Sequence, residues 1–161
     1  MQIKIEVVSE KVDERNYAEE GLEKLLSLVA SNPQTPTTVL SAISKKQSPR
    51  RLCQVASNPH TDLNTLDELA RDDHESVRAC VADHPKAMNF MWKLANDESA
   101  IVRYVLASND NLPEHLFNVL AKDEDVRVAR RAKRTLRKLK SQDSIVGHIF
   151  SIFMHDGRES A

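Results

Sequence analysis

Apolar and polar positions along this chain follow neither one long helical pattern nor one strand pattern; they come in a block of 25 or 26 residues that repeats. Val29-Ala30-Ser31-Asn32-Pro33 recurs as Val55-Ala56-Ser57-Asn58-Pro59, then as Val81-Ala82-Asp83-His84-Pro85. A weakened copy follows, Leu106-Ala107-Ser108-Asn109-Asp110, and the last residues step by 26, 26 and 25. Ile43, Leu69, Leu94 and Leu120 keep the same beat, with steps of 26, 25 and 26. Val77-Arg78, Val102-Arg103 and Val126-Arg127 form a third register, stepping by 25 and 24. Three registers in agreement identify an internal repeat, which must be read before anything else.

Each unit is expected to hold two short helices. Asn before Pro is pushed out of the α region and Pro carries no N–H, so Asn-Pro closes one helix. Thr35-Pro36 and Thr61-Asp62 offer capping chemistry for the next. Leu63, Leu66 and Leu69 then mark its apolar face. A second helix is expected from Ser48-Pro49, Asp72, Asp97 and Asp123, again on capping grounds, with Val77, Val81 and Ala82 turned inward. Helices this short are not stable alone, so the units must stack and bury one another. The expected fold is all-α: an α-solenoid of about four two-helix repeats over residues 16–132. A helix near 16–30, with Leu22, Leu25, Leu26 and Val29 as its apolar face, opens it.

With these residues in view, Val-Arg, Val-Ala-x-Asn-Pro and Leu-Ala-x-Asp on a beat near 25 resemble the leucine-rich repeat variant family, whose style is that of HEAT repeats. The resemblance spans roughly Leu22 to Ala132 and is best in the second and third units. It implies a right-handed superhelix in which α-helices alternate with short 3₁₀-like helices, and it implies no activity. Some members carry a cysteine-rich iron–sulfur segment before the repeats; no cysteine precedes Cys53 here, so that cofactor is not carried over. The first unit departs from the pattern with Arg51-Leu52, and the fourth replaces Pro with Asp110. Atypical end units are what stacked repeats require.

Composition narrows the picture further. The 161 residues are 40% hydrophobic, 29% charged and only 4% aromatic, with three glycines. That is the balance of one folded domain, with too little glycine for a phosphate-cradling loop or an all-β fold of tight turns. Cys53 and Cys80 are too few for a disulfide framework or a cysteine-built metal site, and they read as small core residues rather than as a pair. No apolar run approaches a membrane span and no signal-peptide pattern opens the chain, so a reducing, cytoplasmic setting is expected. The six histidines fall in no ligand spacing, and no hydrolase elbow, nucleotide loop or carboxylate pair occurs. No cofactor, metal or catalytic residue is expected. Trp92 and Phe90 read as core or groove lining.

The flanks and the loops hold the candidates. Ile3, Ile5 and Val7 alternate with polar residues, the period of a strand, so residues 1–15 read as an extended arm. Arg127, Arg130, Arg131, Lys133, Arg134, Arg137, Lys138 and Lys140 place +8 on one helix, leaving −9 for the rest of a chain whose net charge is −1. Such a helix suits a phosphate backbone or an anionic surface, or it is a solvated end facing an acidic body. Residues 133–161 continue that helix into an apolar tail containing Ile149, Phe150 and Phe153, which must pack on the solenoid, pair as a strand or bind something, a second copy across a two-fold axis included. Asp73, Glu75, Glu98 and Glu124 belong to acidic loops at equivalent places in successive units, where an Asp–Arg ladder through Arg78, Arg103 and Arg127 would absorb much charge. The function expected is that of a non-catalytic scaffold binding another macromolecule, foremost a protein. The alternative is nucleic-acid binding through 127–140.

Overall fold

A computed structural model describes the backbone of residues 14–45 and 48–155, and the side chains of 20–45 and 48–141. Every regular element within these bounds is helical. In chain order they are α1 (Glu14–Ser31), α2 (Thr37–Ser44), α3 (Pro49–Ser57), α4 (Leu63–Leu69), α5 (Glu75–Asp83), a 3₁₀ helix (Pro85–Phe90), α6 (Met91–Ala95), α7 (Ala100–Leu106), α8 (Glu114–Leu120) and α9 (Val126–His155). Helices α3, α5, α7 and α9 begin at residues 49, 75, 100 and 126, so the sequence beat is also the beat of the elements. Among the described residues, no helix is long and apolar enough to cross a membrane.

Local chemistry starts and stops these helices. Pro49 occupies the first turn of α3, where an absent N–H costs nothing. Asp62 accepts the Thr65 N–H at 2.8 Å and caps α4. Ser99 accepts the Ile101 N–H at 3.2 Å at the head of α7. The third unit lacks the Thr-Asp pair: Ala87 stands where Thr61 stands one unit earlier, and the 3₁₀ turn Pro85–Phe90 replaces the start of an α-helix.

Packing follows one rule. Helix α3 lies against α5, α5 against α7, α1 against α3, and both α7 and α8 against α9. Each first helix also packs on the second helix of its own unit: α2 on α3, α4 on α5, α6 on α7, α8 on α9. The apolar register sits where these contacts converge. Ile43, Leu69, Leu94 and Leu120 are all buried, as are Val77, Val81, Val102 and Val128. Each fully buried aliphatic side chain contributes about 1.5–3 kcal/mol by leaving water.

Several sequence expectations are corrected. Leu63 is 44% exposed although Leu66 and Leu69 are buried. Residues at i and i+6 on an α-helix diverge by roughly 120°, so a run of i, i+3, i+6 cannot share one buried face, and Thr65 and Ala70 take the vacated places. On α1 the spacing does put Leu22, Leu25, Leu26 and Val29 on one face, but that face is covered only toward the end of the helix that packs on α2 and α3: Leu22 and Leu25 are exposed, Leu26 and Val29 half-buried and Ala30 buried. Asp72, Asp97 and Asp123 cap no helix: α5 and α7 start after His74 and Ser99, and α9 starts at Val126. Thr35 and Thr61 are not caps either; both are buried, and each donates its hydroxyl back to the carbonyl six residues earlier, Val29 and Val55, at 2.5 Å. The predicted boundary at 132/133 falls inside the continuous helix α9. The arm with Ile3, Ile5 and Val7 lies outside the described residues, as do the side chains of Ile149, Phe150 and Phe153 on α9.

Candidate functional site

The predicted Asp–Arg ladder exists in two rungs. Arg78 grips Asp97 of the next unit with a fork, Nε to Oδ2 at 2.7 Å and Nη2 to Oδ1 at 2.9 Å. Its Nη1 donates to the carbonyls of Asp72 at 2.8 Å and Asp73 at 3.1 Å. Arg103 repeats this on Asp123 at 2.8 and 3.0 Å, and on the carbonyls of Asp97 and Glu98 at 2.7 and 3.2 Å. Both guanidinium groups and both carboxylates are buried. Burial would push the Asp97 carboxyl up, but the Arg78 fork and the Ser99 N–H outweigh it and hold the carboxyl below its ordinary value. Arg127 departs from the series: it turns to Asp125 of its own turn at 2.8 Å and is exposed. At the other end Arg51 is buried and pairs with Glu23 of α1.

A second relay, invisible in the sequence reading, runs the opposite way. Asn58 Nδ2 donates to the carbonyls of Ala30 and Asn32 in the unit before, at 2.8 and 2.9 Å. Asn109 Nδ2 does the same to Ala82 and His84 at 2.8 and 3.1 Å. Between them His84 Nε2 lies 3.1 Å from the Asn58 carbonyl while Nδ1 accepts the Lys86 N–H at 2.9 Å. These buried polar side chains tie unit to unit through the backbone of the turns.

The predicted acidic residues divide into two roles. Asp97 and Asp123 are consumed by the ladder, whereas Glu98 and Glu124 are 90% exposed and only touch Arg78 and Arg103 at 3.4 Å. Asp73 is exposed, and exposed Glu75 accepts the Ser99 hydroxyl of the next unit at 2.5 Å. The basic helix divides too. Lys138 pairs with Asp110, Lys140 with Glu114 at 3.2 Å, and Arg127 with Asp125. Among the described residues, Arg130, Arg131, Lys133, Arg134 and Arg137 meet no carboxylate.

Sequence reasoning missed the exposed apolar side chains of the first helices. Val39 on α2, Leu63 on α4, Met88 on the 3₁₀ helix, Trp92 on α6 and Val119 on α8 are 37–53% exposed. Trp92 lies against His115 of α8, ring centres 5.7 Å apart and planes 34° to one another, so the outer faces of neighbouring units meet there. A periodicity that alternates between two apolar faces was the available signal, and it was read as one buried face.

Cys53 on α3 and Cys80 on α5 are free thiols packed against the core, not a disulfide; burial together with the hydrogen bond to Cys53 pushes the Cys80 thiol up to about 12. Among the described residues, no cluster of three or more His, Cys, Asp or Glu side chains could hold a metal ion. The chain matches no protein-family model, no curated protein and no solved structure.

Proposed function

We propose that this chain is a non-catalytic repeat scaffold, an α-solenoid of about four units in the style of the leucine-rich repeat variant family, that binds another protein. The observation that carries the reading is the set of exposed apolar side chains on the first helices, centred on Trp92 with its His115 neighbour. A tryptophan half out of solvent is the residue type most enriched in protein-binding hot spots. The exposed Glu98 and Glu124 would border this contact with a negative rim, and the tail of α9 would extend it. Free thiols at Cys53 and Cys80 are in keeping with a cytoplasmic setting. A two-fold dimer through the termini is part of the proposal, with light scattering of the full chain as its measure.

The test uses tagged full-length chain against its own variants Trp92→Ala and Leu63→Ser, both checked by circular dichroism. The reading requires a protein recovered stoichiometrically with the wild type and lost with both surface variants. Recovery that survives both substitutions sinks it.

One observation favours a second reading, nucleic-acid binding through 127–140: five cations of α9 without a carboxylate partner. Fluorescence anisotropy of random-sequence DNA and RNA over a salt series decides it. Binding that weakens steeply with salt and is lost when Arg130, Lys133, Arg134 and Arg137 are changed together to Gln would replace the protein-scaffold reading. No binding at low salt would remove the alternative.

A further inference from the structure

Between α9 and the turn that follows α7 lies a half-open cavity of about 430 Å³, lined by Ser108, Asp110, Arg131, Arg134, Thr135 and Lys138. It shares no lining residue with the exposed apolar side chains of the first helices and stands or falls independently of them. Three cations and one carboxylate line the cavity, and the carboxylate of Asp110 is already held by Lys138. The two hydroxyls are also spoken for: Ser108 donates to the Tyr104 carbonyl at 2.9 Å and Thr135 to the Ala107 carbonyl at 2.7 Å. The Nε of Arg131 is different. It is buried and has no hydrogen-bond partner. Closed to water, that atom is closed to a ligand oxygen as well, so what the cavity offers is the terminal N–H groups of the Arg131 and Arg134 forks together with the Lys138 ammonium.

We propose that this cavity is a binding site for a phosphate monoester, with Arg131 and Arg134 as the guanidinium forks and Lys138 as a point charge. The net lining charge of two matches a dianion, which a monoester provides near neutral pH and a single carboxylate or a phosphodiester does not. The volume falls among small-ligand pockets, roughly 300–1,000 Å³, so there is room for the carbon body that carries the phosphate. No aromatic side chain lines the cavity, so a base has nothing to stack on there. The phosphate accepts from the terminal N–H groups of the guanidinium forks, and Asp110, which stays on Lys138, weakens the affinity by repulsion.

The test is isothermal titration of the full chain with inorganic phosphate, glycerol phosphate and a phosphoserine peptide, at constant ionic strength made up with chloride. Saturable binding of all three is expected. Arg134→Gln and Lys138→Gln should each weaken it about tenfold or more, while Arg130→Gln and Lys133→Gln, on the same helix but outside the cavity, change it less than about twofold. Asp110→Asn should tighten it. Equal affinity for glycerol phosphate and peptide assigns the site to a free phosphorylated small molecule; tighter peptide binding assigns it to a phosphorylated side chain. Absence of phosphate binding overturns the proposal. So does an equal loss in the Arg130 and Lys133 variants, or tighter binding of an oligonucleotide without terminal phosphates, which would make the helix a diffuse polyanion surface.

Discussion

His84 takes the place in the third unit that Asn58 holds in the second, and the two are joined: the His84 ring reaches the Asn58 carbonyl at 3.1 Å. The backbone N–H of Lys86 donates to Nδ1, so the proton of the neutral ring resides on Nε2. An imidazole so arranged imitates a carboxamide, one atom donating backward and one accepting forward. Unlike a carboxamide, it titrates.

Burial, with Lys86 nearby, lowers the His84 pKa against the opposing pull of the Asn58 carbonyl and Asp83. The folded chain therefore prefers the neutral ring, and the unfolded chain binds a proton more readily. The His84 contribution to stability is complete above about 6.5, the ordinary histidine value, and is lost progressively as pH falls below it. Urea unfolding of the wild type should show falling stability from pH 7 to pH 5. The His84→Asn variant should lack that step, and a parallel decline in both would refute the assignment.

The backward-reaching amides should matter far more than amides on the surface. Asn58→Ala strips two carbonyls of the preceding unit and the His60 N–H of their partner, and should cost about 2 kcal/mol or more. Asn64→Ala, exposed on α4, should stay within about 0.5 kcal/mol of wild type. Chemical denaturation reports both, and near-equal losses would mean that the relay does not couple the units.

Arginines in register should differ steeply in worth. Arg78→Ala leaves the Asp97 carboxylate buried without its fork and should cost about 3–5 kcal/mol. Arg127→Ala removes an exposed pair within one turn and should cost less than about 1 kcal/mol. The depressed Asp97 carboxyl adds an acid limit: its contribution is present above the ordinary carboxylate value and disappears as pH falls through and below it. Unfolding midpoints of the two variants at neutral pH should therefore separate widely.

With its thiol pushed up to about 12, Cys80 carries almost no thiolate at pH 8. Iodoacetamide followed by mass spectrometry should modify it far more slowly than the same residue in denatured chain. Equal rates would show that the α3–α5 contact opens freely.

Much of this architecture could be read before any coordinates. Val-Ala-x-Asn-Pro announced where the second helices end, and the buried register Ile43, Leu69, Leu94, Leu120 was visible as a beat. The ladder was legible because Asp and Arg recur with matching steps and opposite charge. What escaped was orientation. Leu63 looks like core in one dimension, and the 100° advance per residue turns it outward; Leu22 and Leu25 keep the right face of α1, and only the extent of the neighbours α2 and α3 decides that they stay exposed. The reach of Asn58 across to Ala30 was hidden because local grammar explains the same asparagine as a helix stop. Arg131 looks like one cation among eight in the sequence; its place beside Arg134 and Lys138 in the lining of one cavity sets it apart.

Arg78 and Arg103 clasp the unit ahead, while Asn58, His84 and Asn109 clasp the unit behind. A block carrying both clasps is a polar connector, with a socket on one side and a plug on the other. Gene duplication can then change the copy number in whole blocks, since an added block of 25 or 26 residues presents the same two fittings as its neighbours. An insertion inside a helix that carries one of these clasps would instead rotate a buried arginine or a buried amide away from its partner.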